Sequence, residues 1–306
     1  GSLPLGMQLS VVVPTLNALD RLAATLDTLR ARAPDAEVVV VNGPSADGTT
    51  GMVRDRADVD VLVEVSDRTL NVSRNAGIRA ASGDAIAFLR HDLAVEESWL
   101  TAVETGLERA PVATGPVHET LPAGMTTTTP EHREIHGREV SYFNGGNVAF
   151  RTEALDRLDG FDEYLETGGA RDVAHRLAAL DCAVEWHSEM CVRTEYEADG
   201  GVTSMDFGWK YRALAYRLVK NYGLRPTVLR RIVSHAGRDA VSAARDVIAG
   251  NATPTNWFGT GRDVVGGIAT GYSDGLVARV RDRSPTRNPH GCSKRADRAV
   301  ATYDRR

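Results

Sequence analysis

Four short apolar runs rich in β-branched residues, at 9–14, 37–41, 59–65 and 85–89, alternate with stretches whose apolar residues recur at helical spacing. Their length and β-branching suit strands buried on both faces. Between the first two, Leu19, Leu22, Leu26 and Leu29 make one face of a helix; between the last two, Ala76 and Ile78 mark the apolar face of another. A chain that repeats strand and helix in this way is driven to right-handed crossovers, and so to an α/β fold with a mostly parallel sheet flanked by helices. Ligands of such sheets bind beyond the carboxyl ends of the strands. Those ends are Pro14-Thr15-Leu16-Asn17, Asn42-Gly43-Pro44-Ser45-Ala46-Asp47 and Arg90-His91-Asp92, three loops that define the candidate site.

The pattern changes after Pro116. Residues 117–142 are polar and hold four consecutive threonines, Thr126 to Thr129, which predicts a long loop or irregular hairpin able to act as a flap. Helices are expected near 153–158 and 171–180, short apolar runs at 182–186 and 190–192, then helices at about 206–222, 226–249 and 260–273 broken by Pro226, Gly250 and Pro254. The tail past Arg283 is expected to lie along the surface. The chain thus divides into a ligand-binding half (7–116), a second half (117–205) and a basic helical C-terminal extension (206–306). Residues 1–6, Gly-Ser-Leu-Pro-Leu-Gly before Met7, read as a cloning remnant.

With 306 residues, 42% of them apolar, the chain can bury one large core or a core plus a helical annex. No run approaches the roughly 18 apolar residues that would cross a bilayer, and a cytoplasmic protein is expected. Cys182, Cys191 and Cys292 form no Cys-x-x-Cys pair, which argues against a disulfide framework or a zinc site. Charge is divided along the chain. From Gly208 onward there are 19 Lys or Arg against 7 Asp and no Glu, a balance of +12, against −17 before it and −5 overall. Such asymmetry points to an anionic membrane surface or a phosphate-bearing acceptor near the C-terminal third, or to a solvated basic face complementing the acidic half. Base-stacking aromatics are not interleaved with these residues, so nucleic acid is not expected as a partner.

Individual motifs sharpen the site. In Val11-Val12-Val13-Pro14-Thr15-Leu16-Asn17, proline ends the strand and Asn17 bonds to its own loop. Asn42 offers both a donor and an acceptor in its side chain. Asp47 is placed to cap the following helix. Residues 71–92 carry Ser73-Arg74-Asn75 at a helix start, Gly77 for close packing on the sheet, a turn at Gly83-Asp84, and the ending Arg90-His91-Asp92.

Together with Gly145-Gly146-Asn147-Val148-Ala149-Phe150-Arg151 and Gly160-Phe161-Asp162-Glu163, these motifs resemble family 2 glycosyltransferases over roughly residues 8–195, in the right order and spacing. The resemblance implies a GT-A-type, Rossmann-like fold and inverting transfer of a sugar from a nucleotide diphosphate sugar. It places Pro14 and Asn17 at the nucleoside, Asn42 where a carboxylate reads the base, Asp47 beside that loop, and Arg74 and Asn75 near the diphosphate and ribose. At the base position an amide pairs with uracil twice and suits guanine less well than a carboxylate would. It also places Asp92 on a divalent ion, magnesium or manganese. Arg90 stands where the family has the first aspartate of its metal motif, and so either substitutes for the ion on the leaving diphosphate or weakens the site. The family's Glu-Asp pair, whose aspartate deprotonates the acceptor, falls on Gly169-Ala170. A shift of one or two residues brings Asp172 there as the candidate base, with Glu166 second. The family's metal-binding histidine falls near Thr194 and Glu195, with His187 several residues too early. The implied partners are a nucleotide diphosphate sugar, uridine or thymidine in type, and a glycan or polyprenyl-phosphate acceptor. The departures at Asn42, Arg90 and Gly169-Ala170 also admit a catalytically impaired relative that keeps the scaffold for binding or regulation.

Overall fold

A computed structural model describes residues 7–121, 124–194, 206–248 and 254–306. The first half runs β1 (Leu9–Thr15), α1 (Leu19–Arg32), β2 (Glu37–Asn42), α2 (Thr49–Asp55), β3 (Val61–Val65), α3 (Leu70–Ala80), β4 (Ala85–Leu89), β5 (Leu93–Val95), α4 (Trp99–Arg109) and β6 (Val112–Thr114). There follow β7 (Val117–Leu121), β8 (Gly124–Thr127), β9 (Glu131–Ile135), β10 (Arg138–Tyr142), β11 (Asn147–Arg151), α5 (Thr152–Leu158), α6 (Gly169–Ala179), β12 (Val184–Trp186) and β13 (Val192–Thr194). The last part is α7 (Phe207–Tyr222), α8 (Pro226–Ile248), α9 (Pro254–Arg281) and β14 (Ala299–Asp304).

Eight strands form one sheet in the order β12-β6-β11-β4-β1-β2-β3-β14. The pairs β1–β2, β1–β4 and β2–β3 are parallel, as the strand and helix repetition predicts, while β11 runs antiparallel between β4 and β6. Successive residues of each central strand enter opposite layers of core. Val12, Val39, Val41 and Phe88 face α3, α6 and α7, whereas Val11, Val13, Val40 and Ala87 face Leu22, Leu26 and Leu29 of α1 and Trp99 of α4.

Three parts differ from the sequence expectation. The polar region after Pro116 is two hairpins: β7–β8 joins a four-stranded sheet with β5 and β13, and β9–β10 stands beside α6. Helix α9 begins before and ends after the expected 260–273, because its glycines are contact points with α7 rather than breaks. A Cβ on Gly267 or Gly271 would lie 2.2 Å from the carbonyl oxygen of Gly208 or Arg212, so the two helices meet backbone to backbone. The tail does not simply lie on the surface: β14 pairs antiparallel with β3 and covers what would otherwise be an open sheet edge. Helix α7 also buries Tyr211, Leu214, Ala215 and Leu218 in the layer that holds Val12 and Phe88, so the basic C-terminal helices share the central core.

Gly77 has the packing role its position suggested. A Cβ there would sit 2.3 Å from Cγ1 of Val12. Alanine in a helix interior ordinarily stabilises by about 1 kcal/mol relative to glycine; here the overlap reverses the sign. Gly77→Ala is expected to destabilise by about 1–3 kcal/mol in urea unfolding, and an unchanged or raised midpoint would contradict the close approach of α3 to β1.

Candidate functional site

The carboxyl ends of β1 and β4, the Asn144-Gly145-Gly146 turn and the loop before α6 enclose a cleft of about 520 Å³. Pro14, Arg74, Arg90 and Glu166 line it; Asn17, Asn42, Asp47, Asn75, Asp92 and Asp172 do not. Arg74 projects from the first turns of α3 and is 94% buried, with 6% of its surface exposed. Its Nη2 donates to the Gly145 carbonyl at 2.8 Å and its Nη1 to Asn71 Oδ1 at 3.2 Å, while the guanidinium stands 4.9 Å over the Phe161 ring. Asn71 is itself fixed by donating to the carbonyls of Asp162 and Leu165. The Arg74 Nε has no hydrogen-bond partner, and among the described residues no carboxylate pairs with this cation. Burial alone pushes its pKa down to about 10.

Gly145 and Gly146 pass between Arg74 and Arg90. A Cβ on the first would lie 2.5 Å from Arg74 Nη2, and on the second 2.8 Å from Arg90 Cβ, so only glycine lets the turn run between both arginines. Arg90 donates through Nε to Asp92 and through Nη1 to Glu119 Oε1 at 2.8 Å. Burial opposes its charge, but the two carboxylates outweigh burial and raise its pKa. Beside it, His91 is half-buried rather than solvent-facing; its Nδ1 lies 3.3 Å from the Pro14 carbonyl and burial lowers its pKa, which favours the neutral ring.

This geometry bears on the expected metal. Asp92 and Glu119 are the carboxylates nearest the position, and one guanidinium already bridges them. Among the described residues no group of three His, Cys, Asp or Glu side chains is arranged to hold an ion. The donor set therefore does not fit a divalent ion without displacement of Arg90. Glu119 had no sequence signal because it lies on β7, in the stretch read as polar loop. His187 accepts from the Glu189 amide in a turn away from the cleft, and Glu195 lies outside the described residues.

Several expected ligand contacts are structural instead. Asn42 is buried and its amide is fully engaged, donating to Thr50 Oγ1 at 2.8 Å and accepting from Ser45 Oγ at 2.7 Å. Asn17, at φ 49°, accepts from the Ala46 amide and ties the β1 loop to the β2 loop. Asp47 accepts from the Thr49 hydroxyl and from the first amides of both α1 and α2, at Leu19 and Thr49; the hydroxyl first, and then the amides, lower its pKa against the opposing effect of burial. Asn75 is wholly buried and exchanges hydrogen bonds with Phe161, so it staples α3 to the 160s loop instead of meeting ribose.

Asp172 is likewise corrected. It is fully buried, ion-paired with Arg176 at 2.8 Å and Lys220 at 2.8 Å, and accepts from Asn221. A carboxylate so enclosed cannot reach an acceptor. The helix start that favoured it lines the cleft with Gly169, Ala170 and Arg171 instead, and the Arg171 guanidinium is paired with Glu131 and set over the Tyr142 ring. Glu166 does line the cleft, where its Oε2 accepts from the Trp209 indole N–H. Burial raises its pKa; Arg212 opposes this, and Asp206 and Asp67 add to it.

Residues 10–158 match the profile of Glycosyl transferase family 2. Over this segment the chain is similar to family 2 glycosyltransferases. Among curated relatives, glycosyltransferase AglE of Haloferax volcanii is 27% identical over 180 residues, 52% of this chain and 58% of AglE. The chain thus spans little more than half the length of that relative. Its fold is also that of solved GT-A enzymes. S. aureus TarS 1–349, solved with UDP-GlcNAc, superposes with a TM-score of 0.60 at 15% identity, covering 90% of this chain and 92% of that one. The mannosyltransferase PcManGT of Pyrobaculum calidifontis, solved with GDP-Man and Mn2+, gives 0.56 at 17% identity, covering 93% and 90%.

Proposed function

We propose that this chain is an inverting family 2 glycosyltransferase that takes a sugar from a nucleotide diphosphate sugar. The observation that carries the reading is the buried, uncompensated guanidinium of Arg74, set across Gly145-Gly146 from Arg90 at the strand ends where ligands of parallel sheets bind. A cation held out of water with an unpartnered Nε is matched by a multiply charged anion, and a diphosphate between the two arginines supplies one. The acceptor oxygen attacks the anomeric carbon from the face opposite the diphosphate, the bond from that carbon to the phosphate oxygen breaks, and the acceptor proton passes to Glu166. Its raised pKa suits a base that must hold the proton. Since Asp92 and Glu119 are both engaged by Arg90, stabilisation of the departing diphosphate is assigned to Arg90 and Arg74.

TarS and PcManGT were solved with UDP and GDP sugars respectively. For this chain, uridine or thymidine donors remain our first candidates, and require the Asn42 amide to turn away from Ser45 and Thr50. The proposed acceptor is a glycan or a polyprenyl phosphate presented at the cytoplasmic face of an anionic membrane. Among the described residues no helix is long and apolar enough to cross a membrane. Helix α8 instead exposes Leu229 and Val233 beside Arg230, a face suited to lying on a lipid surface. The second reading, a non-catalytic binder, is favoured by the same closure of Arg90 on Asp92 and Glu119.

Calorimetry with a panel of nucleotide diphosphates, with and without manganese, separates these readings. Binding is expected without manganese, with turnover reduced about 10²–10³-fold by Arg90→Ala. Failure of every nucleotide to bind would leave neither reading of the cleft standing. Binding without turnover would select the non-catalytic one, and an absolute need for manganese would overturn the role given to Arg90.

A further inference from the structure

A second cleft, of about 840 Å³, lies between the β9–β10 hairpin, α6, α7 and α8, where the sequence marked an excess of positive charge in the C-terminal third but no individual site residue. Its wall is strongly basic. Arg217, Arg230, Arg231 and Arg238 line it, and none of the four has a carboxylate partner among the described residues. Arg171 and Arg133 share Glu131 at 2.9 and 3.5 Å, and Lys210 is paired with Asp239, so the nearby carboxylates other than Glu134 are already engaged. The other titratable groups at the lining are His136, His235 and the buried His175. For His175, burial and then the surrounding arginines drive the pKa well down, so it adds no charge, and the same causes lower that of His235.

Arg217 is the centre of this arrangement. Its Nε is closed off from solvent without a hydrogen-bond partner, and Gly168 approaches so closely that a Cβ there would lie 2.6 Å from Nη1. Gly168 has φ +74°, so a side chain at this position would be strained as well as obstructed. The loop is thus shaped to bring its backbone against the guanidinium. Desolvation without compensation is costly, and it is relieved by an anion that meets several guanidinium forks at once. A phosphate does this better than a carboxylate, because it carries more charge and three acceptor oxygens.

We propose that this cleft binds a phosphate group, and that it holds a phosphate-bearing acceptor beside the donor cleft. The two clefts share Thr167, Gly168 and Arg171, and Glu166 adjoins this ridge on the donor side. The word acceptor rests on the glycosyl-transfer reading; the phosphate site does not. The phosphate could be borne by a lipid or by a soluble molecule.

The test uses full-length protein saturated with UDP, so that the donor cleft is filled, and two probes: pyrophosphate by calorimetry, and phosphatidylcholine vesicles carrying phosphatidic acid by co-sedimentation. Arg231→Glu and Arg238→Glu, at half-buried and exposed positions that leave the core intact, are each expected to weaken binding about tenfold or more, with UDP affinity unchanged. Arg32→Glu on α1 makes the same charge change elsewhere and is expected to leave binding as it was. Response to vesicles alone assigns a lipid-borne phosphate, and response to pyrophosphate alone a soluble one. No binding of either probe, or equal weakening by Arg32→Glu, overturns the proposal. If UDP fails to bind at the outset, the donor reading fails, and the two probes then test the basic cleft by comparing Arg74→Ala with Arg231→Glu.

Discussion

Arg74→Ala is expected to lower kcat/KM by about 10²–10³-fold while leaving thermal stability within about 1 kcal/mol of the parent. The two effects separate because Arg74 contributes little to the fold that its removal would take away. It has no ion pair among the described residues, one nitrogen without a partner, and a pKa pushed down to about 10 by burial. What alanine would cost the fold is the contact with the Phe161 ring and bonds to Gly145 and Asn71, which water entering the cleft can replace. The donor would lose its most enclosed cation. Steady-state kinetics and calorimetry with the nucleotide diphosphate, set beside a thermal melt, measure both. Nucleotide affinity within twofold of the parent would remove Arg74 from the site, and a collapse of stability would make it a structural cation.

Lys220→Met is expected to have the opposite signature, a loss of about 3–5 kcal/mol of stability. The Lys220 ammonium lies 2.7 Å from Asp162 and 2.8 Å from Asp172, and all three side chains are wholly buried. Asp172 is further held by Arg176, whose guanidinium also donates to the carbonyls of Leu158 and Gly160, and Asp162 by the Tyr216 hydroxyl and His290. Removing the lysine leaves two carboxylates in the core with incomplete compensation. For Asp162, burial alone would raise the pKa, but Lys220 and His290 outweigh it and hold it far below its ordinary value of 3.8. A depressed carboxylate contributes stability that is present above that ordinary value and is lost as pH falls below it. In Lys220→Met this contribution is gone and protonation of Asp162, left with burial opposing its charge, becomes favourable. The deficit should therefore be largest near neutral pH and shrink towards about pH 4. Urea unfolding of both proteins across that range checks this, and a deficit independent of pH would mean that Lys220 acts through packing alone.

The contrast between Arg74 and Asp172 explains how far the sequence could be read. Strands β1 to β4 were legible because each is short, apolar and largely buried on both faces, so composition and location coincide. The loops at their ends followed from topology, and Pro14, Arg74 and Arg90 do line the cleft. Asp172 was misread because a carboxylate at a helix start looks the same whether it faces an acceptor or a lysine 48 positions later in the chain. Asp47 does bond the first amide of the following helix, as its position predicts, whereas Asn42 and Asn17 are engaged between loops for a related reason: polar side chains in loops satisfy neighbouring groups, and which neighbours they find depends on how two loops meet.

The sequence by itself determined the α/β class, the parallel core, the glycine that admits α3 to the sheet and the end of the sheet at which the cleft opens, since periodicity and residue volume act over a few neighbours. Only the tertiary structure decided which charges are free. Arg90 meets Glu119 from β7, Asp172 meets Lys220 from α7, and Arg74 and Arg217 meet no carboxylate among the described residues. Whether a charge is neutralised depends on groups within about 4 Å, and in this fold those groups come from elements far apart in the chain.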